Sequence, residues 1–353
     1  MISLDFEQVW GVRHLPRLSS QLSRLVEART IVLSLLDIFR DYGIHATWAV
    51  VGFLFFDSGA ELRAHLPVVR PRYADPRLCP YQDLPPSGTR ESPESIFFAR
   101  SLISRIAGTP HQEIGTHTLS HYYCLEPGQD IESFSADLSC AGAIASEFGV
   151  EVKSLVFPKN QCRPDYLRVC ADHGIIAYRG NPDSWLYRPN PDRKQQMLPR
   201  RLGRLLDAYV PVTRALSQSL PLGTASLPLN VPASRFLRPY MPSLRLLEPL
   251  RVARIMREMT FAARTGRLYH LWWHPHDFGV DPQANLRVLR LVLDHYKRLN
   301  AQYRFHSMNM VEAAADALLP HPAVGKVEFQ APDGLTAAIP KSAAQSLPPL
   351  SNS

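Results

Sequence analysis

The chain has 353 residues, of which 45% are hydrophobic, and its formal net charge at pH 7 is +7. This length allows one large domain or two ordinary ones, and the composition is that of a soluble globular protein. Five cysteines without a CxxC pair argue against a disulfide framework, and the longest apolar stretch, residues 46–56, is too short to cross a bilayer.

The N-terminal residues predict where the protein is located, and the net charge indicates which partners it binds. Acidic residues at positions 5 and 7, with no basic segment followed by an apolar one, predict no signal peptide and a cytoplasmic protein. The net charge favours an anionic partner such as a phosphorylated or acidic glycan, although a basic surface without a function explains it equally well. We find no nucleic-acid-binding motif and expect no nucleic-acid partner.

Hydrophobic periodicity in the first part of the chain predicts strands that alternate with helices. The first long helix is expected to end at Gly43, a typical helix-terminating residue. Proline-rich residues from about 57 to 110 are interpreted as an insertion into the domain that these strands and helices form. In chain order the predicted elements are strand 2–5, helix 31–39, strand 47–55, a helix at about 96–106 that ends the insertion, and strand 113–116.

The same alternation continues in the second part of the chain. The predicted elements are helix 134–148, strand 152–157, helix 164–173, strand 175–178, helix 251–265, strand 268–273, helix 283–299, strand 303–305 and a last helix capped by Ser307. Residues from about 187 to 247 are expected to be long loops, and residues 320–353 a disordered tail. Strands separated by helices predict an α/β fold with parallel strands, within one domain of residues 1–319.

The most specific local motif is the pair His117 and His121 in the segment HTLSH. Two histidines four residues apart lie on one face of a helical turn, where both imidazoles reach one metal ion. The preceding segment is a predicted strand, so the pair is expected at a strand-to-helix junction. Because the chain has 13 histidines, such a pair also arises by chance, and the metal interpretation needs further ligands.

Asp5 and Glu7 supply candidate carboxylates at the end of the first strand. Side chains two residues apart on a strand point to the same face, so both are expected to project together. Carboxylates on an apolar strand are costly to bury unless a positive group compensates them. Hydrolytic zinc sites take three protein ligands and a water, so one carboxylate with both histidines completes the set and the other is free to act as a base. The alternative is that both only solvate the end of the strand.

Taken in order, these motifs resemble the polysaccharide deacetylases of carbohydrate esterase family 4, which contain the NodB-homology domain. The motifs are the acidic end of strand one, GTHTLSH, FPKNQ and LWWHPH, and YGIHATWAVVGF is similar to the family's second strand. The resemblance covers about residues 1–315. It implies a distorted β/α barrel of the polysaccharide deacetylase (NodB-homology) type.

The resemblance assigns the metal ligands and the base. It implies that His117 and His121 bind a divalent metal and that Asp5 is the general base. The commoner form of the family's first motif has two adjacent aspartates, the second of which binds the metal. This chain has Phe6 at that position, so Glu7 is expected to be the third ligand.

The later motifs imply an acid and an orienting cation. His274 matches the family's general acid; His276 is its competitor, but the His-Pro step at the strand end favours His274. The third motif contains an arginine that orients the catalytic aspartate, and this chain has Lys159 there, which keeps the charge but loses the two-pronged geometry of arginine.

Four further residues are candidate substrate contacts: Tyr122, Trp273, Arg235 and Arg238. A backbone amide near Tyr122 or Tyr123 is expected to stabilise the oxyanion together with the metal. Arg235 and Arg238 are expected to bind an acidic group of the substrate, although a solvated basic loop explains them at least as well.

The predicted function is a metal-dependent hydrolase that removes an N-acyl group, in the first instance acetyl, from a sugar or polysaccharide in the biosynthesis of a capsule, exopolysaccharide or O-antigen. Two histidines and one carboxylate suit zinc. The expected partner is an N-acetylated sugar, free or carrier-linked. The alternatives are a hydrolase of another non-peptide C–N bond, such as a ureide or formamide, and an inactive carbohydrate-binding relative.

Overall fold

The computed structural model describes residues 1–318, apart from residues 16–17, 192–193, 195–196, 214 and 221–225. The predicted tail, residues 320–353, lies outside the described residues. Its disorder, and the domain boundary at residue 319, therefore stay predictions.

In the described part of the chain, eight strands form one sheet in which neighbouring strands are parallel. The strands are β1 (Ile2–Phe6), β2 (Ala46–Val50), β3 (Gln112–Thr116), β4 (Ser154–Val156), β5 (Ala177–Arg179), β6 (Leu229–Asn230), β7 (Arg235–Phe236) and β8 (Leu271–Trp273). Their order across the sheet is β6-β5-β4-β3-β2-β1-β8-β7. β1 and β2 are buried along their whole length, as parallel strands covered on both faces should be.

One continuous segment joins the two edges of this sheet. The backbone N–H of Val231, just after β6, donates to Tyr178 O of β5 (2.9 Å), and the N–H of Leu237, just after β7, donates to Trp272 O of β8 (2.8 Å). The same segment therefore supplies both edge strands, β6 beside β5 and β7 beside β8. The predicted α/β fold with a distorted β/α barrel is confirmed.

Helices cover this sheet. They are α1 (Val9–Val12), α2 (Leu22–Tyr42), α3 (Gly59–Ala64), α4 (Arg100–Ala107), α5 (Ile131–Glu147), α6 (Tyr166–Asp172), α7 (Leu198–Tyr209), α8 (Glu248–Arg264), α9 (Pro282–Tyr303) and α10 (Met310–Leu318). Helix α2 ends where predicted, with Gly43 in the left-handed conformation (φ 62°). Among the described residues, none of the helices has both the length and the apolar character of a transmembrane span.

The structure corrects the end of one predicted strand, the existence of another and the predicted cap of the last helix. The strand predicted for 47–55 ends at Val50, and Gly52–Phe55 is a 3₁₀ turn. The strand predicted for 303–305 does not form, because α9 continues to Tyr303. The last helix is capped by Asn309, whose side chain accepts the N–H of Glu312 (2.9 Å) while Glu312 accepts the N–H of Asn309 (2.9 Å).

The region from about 187 to 247, predicted to be long loops, contains a helix and two strands. Helix α7 lies in this region, as do β6 and β7. The helix was not predicted because prolines on both sides of it interrupt the hydrophobic periodicity.

A buried cluster of charged side chains connects α7 and β7 to α8. Glu258 on α8 accepts two hydrogen bonds from Arg235 on β7 (2.7 and 2.6 Å) and one from Arg254 (3.2 Å). Arg254 also donates to Asp207 at the end of α7 (3.1 Å). All four side chains are less than a tenth exposed, so each charge depends on the others for compensation.

We predict that Glu258→Gln lowers the free energy of unfolding by about 3–5 kcal/mol, because it leaves buried guanidinium groups without their counter-charge. The exposed pair Arg40–Asp37, whose side chains are 62% and 64% exposed, provides the control. Asp37→Asn should change the free energy of unfolding by at most about 1 kcal/mol. Urea unfolding followed by circular dichroism measures both, and equal effects would contradict the prediction.

Candidate active site

The candidate side chains come from the carboxyl ends of neighbouring strands. Asp5 and Glu7 lie at the end of β1, the histidine motif follows β3, and His274 follows β8. Because parallel strands end on the same side of a sheet, these residues meet at one edge of the barrel. Asp5 and Glu7 are 3% and 5% exposed, so both carboxylates are buried and require compensation.

Glu7, His117 and His121 direct ligand atoms at one point. Oε2 of Glu7 lies 2.9 Å from Nε2 of His121 and 3.4 Å from Nε2 of His117. In a tetrahedral site with bonds of about 2.0–2.1 Å, ligand atoms are roughly 3.4 Å apart. The three residues are buried and form one of the groups in the structure that could hold a metal ion.

The histidine segment is a loop, so the prediction of a helical turn is wrong. Thr118 and His121 both have left-handed backbone, with φ of 63° and 60°, which a right-handed helix excludes. Asp137 on α5 holds this loop: it accepts the N–H of Leu119 (2.7 Å) and the hydroxyl of Ser120. The two imidazoles are therefore brought together by the loop backbone and not by helical spacing.

The protonation states also fit a divalent cation. The Nδ1–H of His117 donates to the carbonyl of Val156 (2.8 Å), so Nε2 is the nitrogen that faces Glu7 (3.4 Å) and is available to a metal ion. Burial lowers the pKa of His121 to about 4. Burial opposes ionisation of Glu7, but His274 and His121 hold its pKa well below the usual range. Neutral imidazoles and an ionised carboxylate are the forms that bind a metal.

Asp5 is fixed by an arginine that the sequence analysis missed. Nη1 and Nη2 of Arg179, at the end of β5, donate to the two carboxylate oxygens of Asp5 (2.6 and 2.7 Å). Burial opposes ionisation of Asp5, but Arg179 lowers its pKa. The contact with Asp5 that was predicted for Lys159 is thus made by Arg179, and Nζ of Lys159 donates to His14 (2.8 Å).

His274 faces both carboxylates of β1. Its Nε2 lies 3.8 Å from Asp5 Oδ2 and 3.7 Å from Glu7 Oε1, while its Nδ1–H donates to Asp277 (2.8 Å). Asp277 in turn accepts from Arg24 (3.1 Å). Burial opposes protonation, but Glu7 and Asp277 raise the pKa of His274 to about 10. A cation on Glu7 would offset part of that effect, and the part due to Asp277 would remain.

A cleft of about 730 Å³ opens over these groups, within the range of small-molecule sites. Among its lining residues are Asp5, Glu7, His121, Lys159, Arg204, Arg238, Trp272, His274, His276 and Asp277. His276, the competitor of His274, is buried and stacked on the His274 ring (centroids 5.1 Å apart). Burial lowers the pKa of His276.

Two predicted substrate contacts lie in the core. Trp273 is fully buried and stacks on Phe278, whereas its neighbour Trp272 lines the cleft. Tyr122 is also fully buried, and its backbone N–H already donates to Thr118 Oγ1 (2.7 Å). Neither Trp273 nor Tyr122 is therefore positioned to contact a substrate in the cleft.

The two arginines predicted to bind the substrate lie in different surroundings. Arg235 belongs to the buried charge cluster with Glu258, and it also lines a smaller cavity of about 230 Å³ that reaches His274. Arg238 lines the cleft and stacks on Phe236 (5.9 Å). In the part of the chain that the structure describes, no ion pair with a carboxylate is found for Arg238.

Comparison with known proteins supports the fold. The sequence matches no protein-family model and no curated protein. A provisionally assigned polysaccharide deacetylase from Mycobacterium smegmatis has a TM-score of 0.54 at 13% identity, over 90% of this chain and 88% of that one. A family 4 acetyl xylan esterase from Clostridium thermocellum, solved with cobalt, has a TM-score of 0.38 at 12% identity, over 88% and 87%. The predicted resemblance to polysaccharide deacetylases is thus confirmed for the fold.

Gly11 on α1 offers a test of the metal centre outside the ligands. A Cβ at Gly11 would lie 2.0 Å from the Glu7 carboxylate and would push it aside. We predict that the wild type binds one equivalent of Zn²⁺ and that Gly11→Ala weakens binding by about 10–100-fold, as changes beside metal ligands do. Isothermal titration calorimetry measures both.

The control is Gly142→Ala on α5, where a Cβ meets no atom within 4 Å. This variant should bind zinc as the wild type does, and His117→Ala should lose most of the affinity. Unchanged zinc affinity in both Gly11→Ala and His117→Ala would place the ion elsewhere.

Proposed function

We propose that the protein is a divalent-metal-dependent hydrolase that removes an N-acyl group, in the first instance acetyl, from a sugar or polysaccharide. The observation that carries this proposal is the position of His274, whose Nε2 is 3.8 Å from Asp5 and 3.7 Å from the candidate ligand Glu7. A base, an acid and a cation site therefore face one another in a single cleft. The fold shared with the assigned deacetylase from Mycobacterium smegmatis supports the same reaction.

Zinc is the ion that we propose for the site of Glu7, His117 and His121, because two imidazoles and one carboxylate suit it. A bound divalent ion supplies Lewis acidity, which lowers the pKa of a water and polarises the amide carbonyl. All three side chains are buried, and Glu7 and His121 also line the cleft, so the site is open on the side of the cleft.

Asp5 acts as the general base. Its buried carboxylate is ionised because Arg179 binds both oxygens, and the same contact fixes the plane of the group. Asp5 takes the proton from the attacking water. Holding the base in one orientation before the reaction contributes to the rate, because no reorganisation is then needed.

His274 acts as the general acid. Its Nδ1–H is held by Asp277, so the proton on Nε2 points toward Asp5 and Glu7, where the scissile amide would lie. Protonation of the departing nitrogen is required, since an amine anion is a poor leaving group. The expected products are a carboxylate and a free amino sugar.

The cleft suggests a substrate larger than a free monosaccharide, with an anionic group. Trp272 and Phe236 offer apolar surface next to His274, and Arg238 offers a guanidinium that could bind a phosphate or carboxylate. We therefore place the reaction in the biosynthesis of an extracellular glycan, acting on a polymer or on a carrier-linked sugar.

The central test is Asp5→Asn. We expect kcat to fall by about 10²–10⁴-fold, because the base is lost, while zinc stoichiometry stays at one. Release of acetate from a panel of N-acetylated sugars and oligosaccharides measures turnover, and ureides and formamides are offered in parallel. A wild type that hydrolyses only ureides or formamides would replace the proposed substrate class. A zinc-loaded wild type that releases no product from any of them would contradict the proposal.

A second test separates Arg179 from Lys159. Arg179→Lys keeps the charge but loses the two parallel hydrogen bonds to Asp5, so we expect kcat to fall by about 100-fold with little change in KM. Lys159→Met should lower kcat much less. A larger loss in Lys159→Met than in Arg179→Lys would restore the orienting role predicted from the sequence.

A further inference from the structure

Helix α7 exposes an apolar stripe. Leu198, Leu202 and Leu206 follow one another at four-residue spacing and are 66%, 49% and 58% exposed. Residues four apart lie on the same face of a helix, so these leucines form one row, and Val210, just after the end of the helix, is 54% exposed. The opposite face, with Asp207 and Ala208, is buried against the protein. A helix on the surface of a soluble protein normally has polar side chains on its exposed face.

The surroundings of α7 extend this apolar surface. Helix α7 packs against α8 and against the short turn Trp185–Tyr187. Trp185 is 62% exposed, and Leu246 and Leu247 just before α8 and Leu250 in its first turn are also exposed. Of the nineteen large hydrophobic side chains exposed in the described part of the chain, eleven lie between residues 185 and 250. Apolar residues gathered in this way mark an interaction surface.

The charge of the same region is strongly positive. Between residues 197 and 250 the sequence has seven arginines and only two acidic residues, Asp207 and Glu248. Both acidic residues are buried in ion pairs with arginines. Arg201 is exposed beside Leu202, and Arg245 is exposed beside Leu246. The apolar surface is therefore interleaved with positive charge, and exposed carboxylates are absent from this stretch.

This surface borders the active-site cleft. Leu198, Arg201, Leu202 and Arg204 line the same cleft as Asp5 and His274. A partner that covers the outer face of α7 would lie next to the mouth of the cleft.

We propose that α7, with Trp185 and the start of α8, is a docking surface for an anionic membrane. Leucine and tryptophan side chains beside arginines are what an interfacial helix needs: the apolar row enters the headgroup boundary while the guanidiniums bind lipid phosphates. A second copy of this chain fits less well, because its own surface here would bring the same positive charge. Docking would place the cleft at the membrane surface, which, if the proposed function holds, suits a substrate linked to a lipid carrier.

Vesicle co-sedimentation of the full chain tests this proposal without any assay of activity. We expect binding to vesicles of phosphatidylcholine mixed with phosphatidylglycerol, weaker binding to phosphatidylcholine alone, and weakening at high ionic strength. Replacing Leu206 and Leu246 together by Gln should reduce binding to the anionic vesicles by about tenfold or more. Neither residue lies in the catalytic cleft, and both are exposed, so the variant should fold.

The matched control replaces Leu33 on α2 and Leu291 on α9 by Gln. These leucines are 40% and 46% exposed and lie outside the docking surface, so this variant should bind vesicles like the wild type. Equal binding by both variants, or no binding of the folded wild type to anionic vesicles, would overturn the proposal. So would a wild-type dimer that becomes monomeric on replacement of Leu206 and Leu246, with no vesicle binding, because the surface would then join two copies of the chain.

Discussion

The site is organised around two carboxylates that one strand buries at its end. Asp5 and Glu7 are almost inaccessible to water, and an ionised carboxylate is stable there only beside positive charge or hydrogen-bond donors. The fold compensates Asp5 internally, through the guanidinium of Arg179. Glu7 instead lies between His274 and the nitrogens of His117 and His121, and these two imidazoles are metal ligands in their neutral forms. The difference between these two environments separates a base from a metal ligand on the same strand.

Much of this arrangement could be predicted because parallel strands end together. That rule placed Asp5, Glu7, the histidine motif and His274 at one edge of the barrel without any knowledge of the loops. Arg179 was missed although it obeys the same rule, since it ends the strand that was predicted for 175–178. The sequence signal for Arg179 is a charged residue at the end of an apolar strand, and this signal is weak because Arg179 belongs to no motif.

Other features could not be predicted, because they depend on details that periodicity does not fix. Successive residues on a strand face opposite sides, so an error of one position exchanges Trp272, which lines the cleft, for Trp273, which lies in the core. Asp277 is three residues beyond His274, but only the turn that follows β8 brings its carboxylate back to the ring. Helix α7 has prolines near both ends, and its apolar row faces solvent. A sequence pattern predicts a helix most clearly when its apolar face is buried, so α7 could not be predicted in this way.

The left-handed backbone of Thr118 and His121 makes the site sensitive, during evolution, to substitutions outside the ligands. Such conformations are unfavourable for side chains other than glycine, and for a β-branched threonine especially so, and they persist only where surrounding contacts impose them. The carbonyl of Thr118 accepts the N–H of Gly52, which anchors the loop to the end of the second strand. The geometry of the two imidazoles is thus encoded in residues that never touch the ion. Substitutions at positions such as Gly52 or Asp137 would erode the chemistry while every ligand remained in the sequence, so a descendant could become inert without any visible loss of its motif.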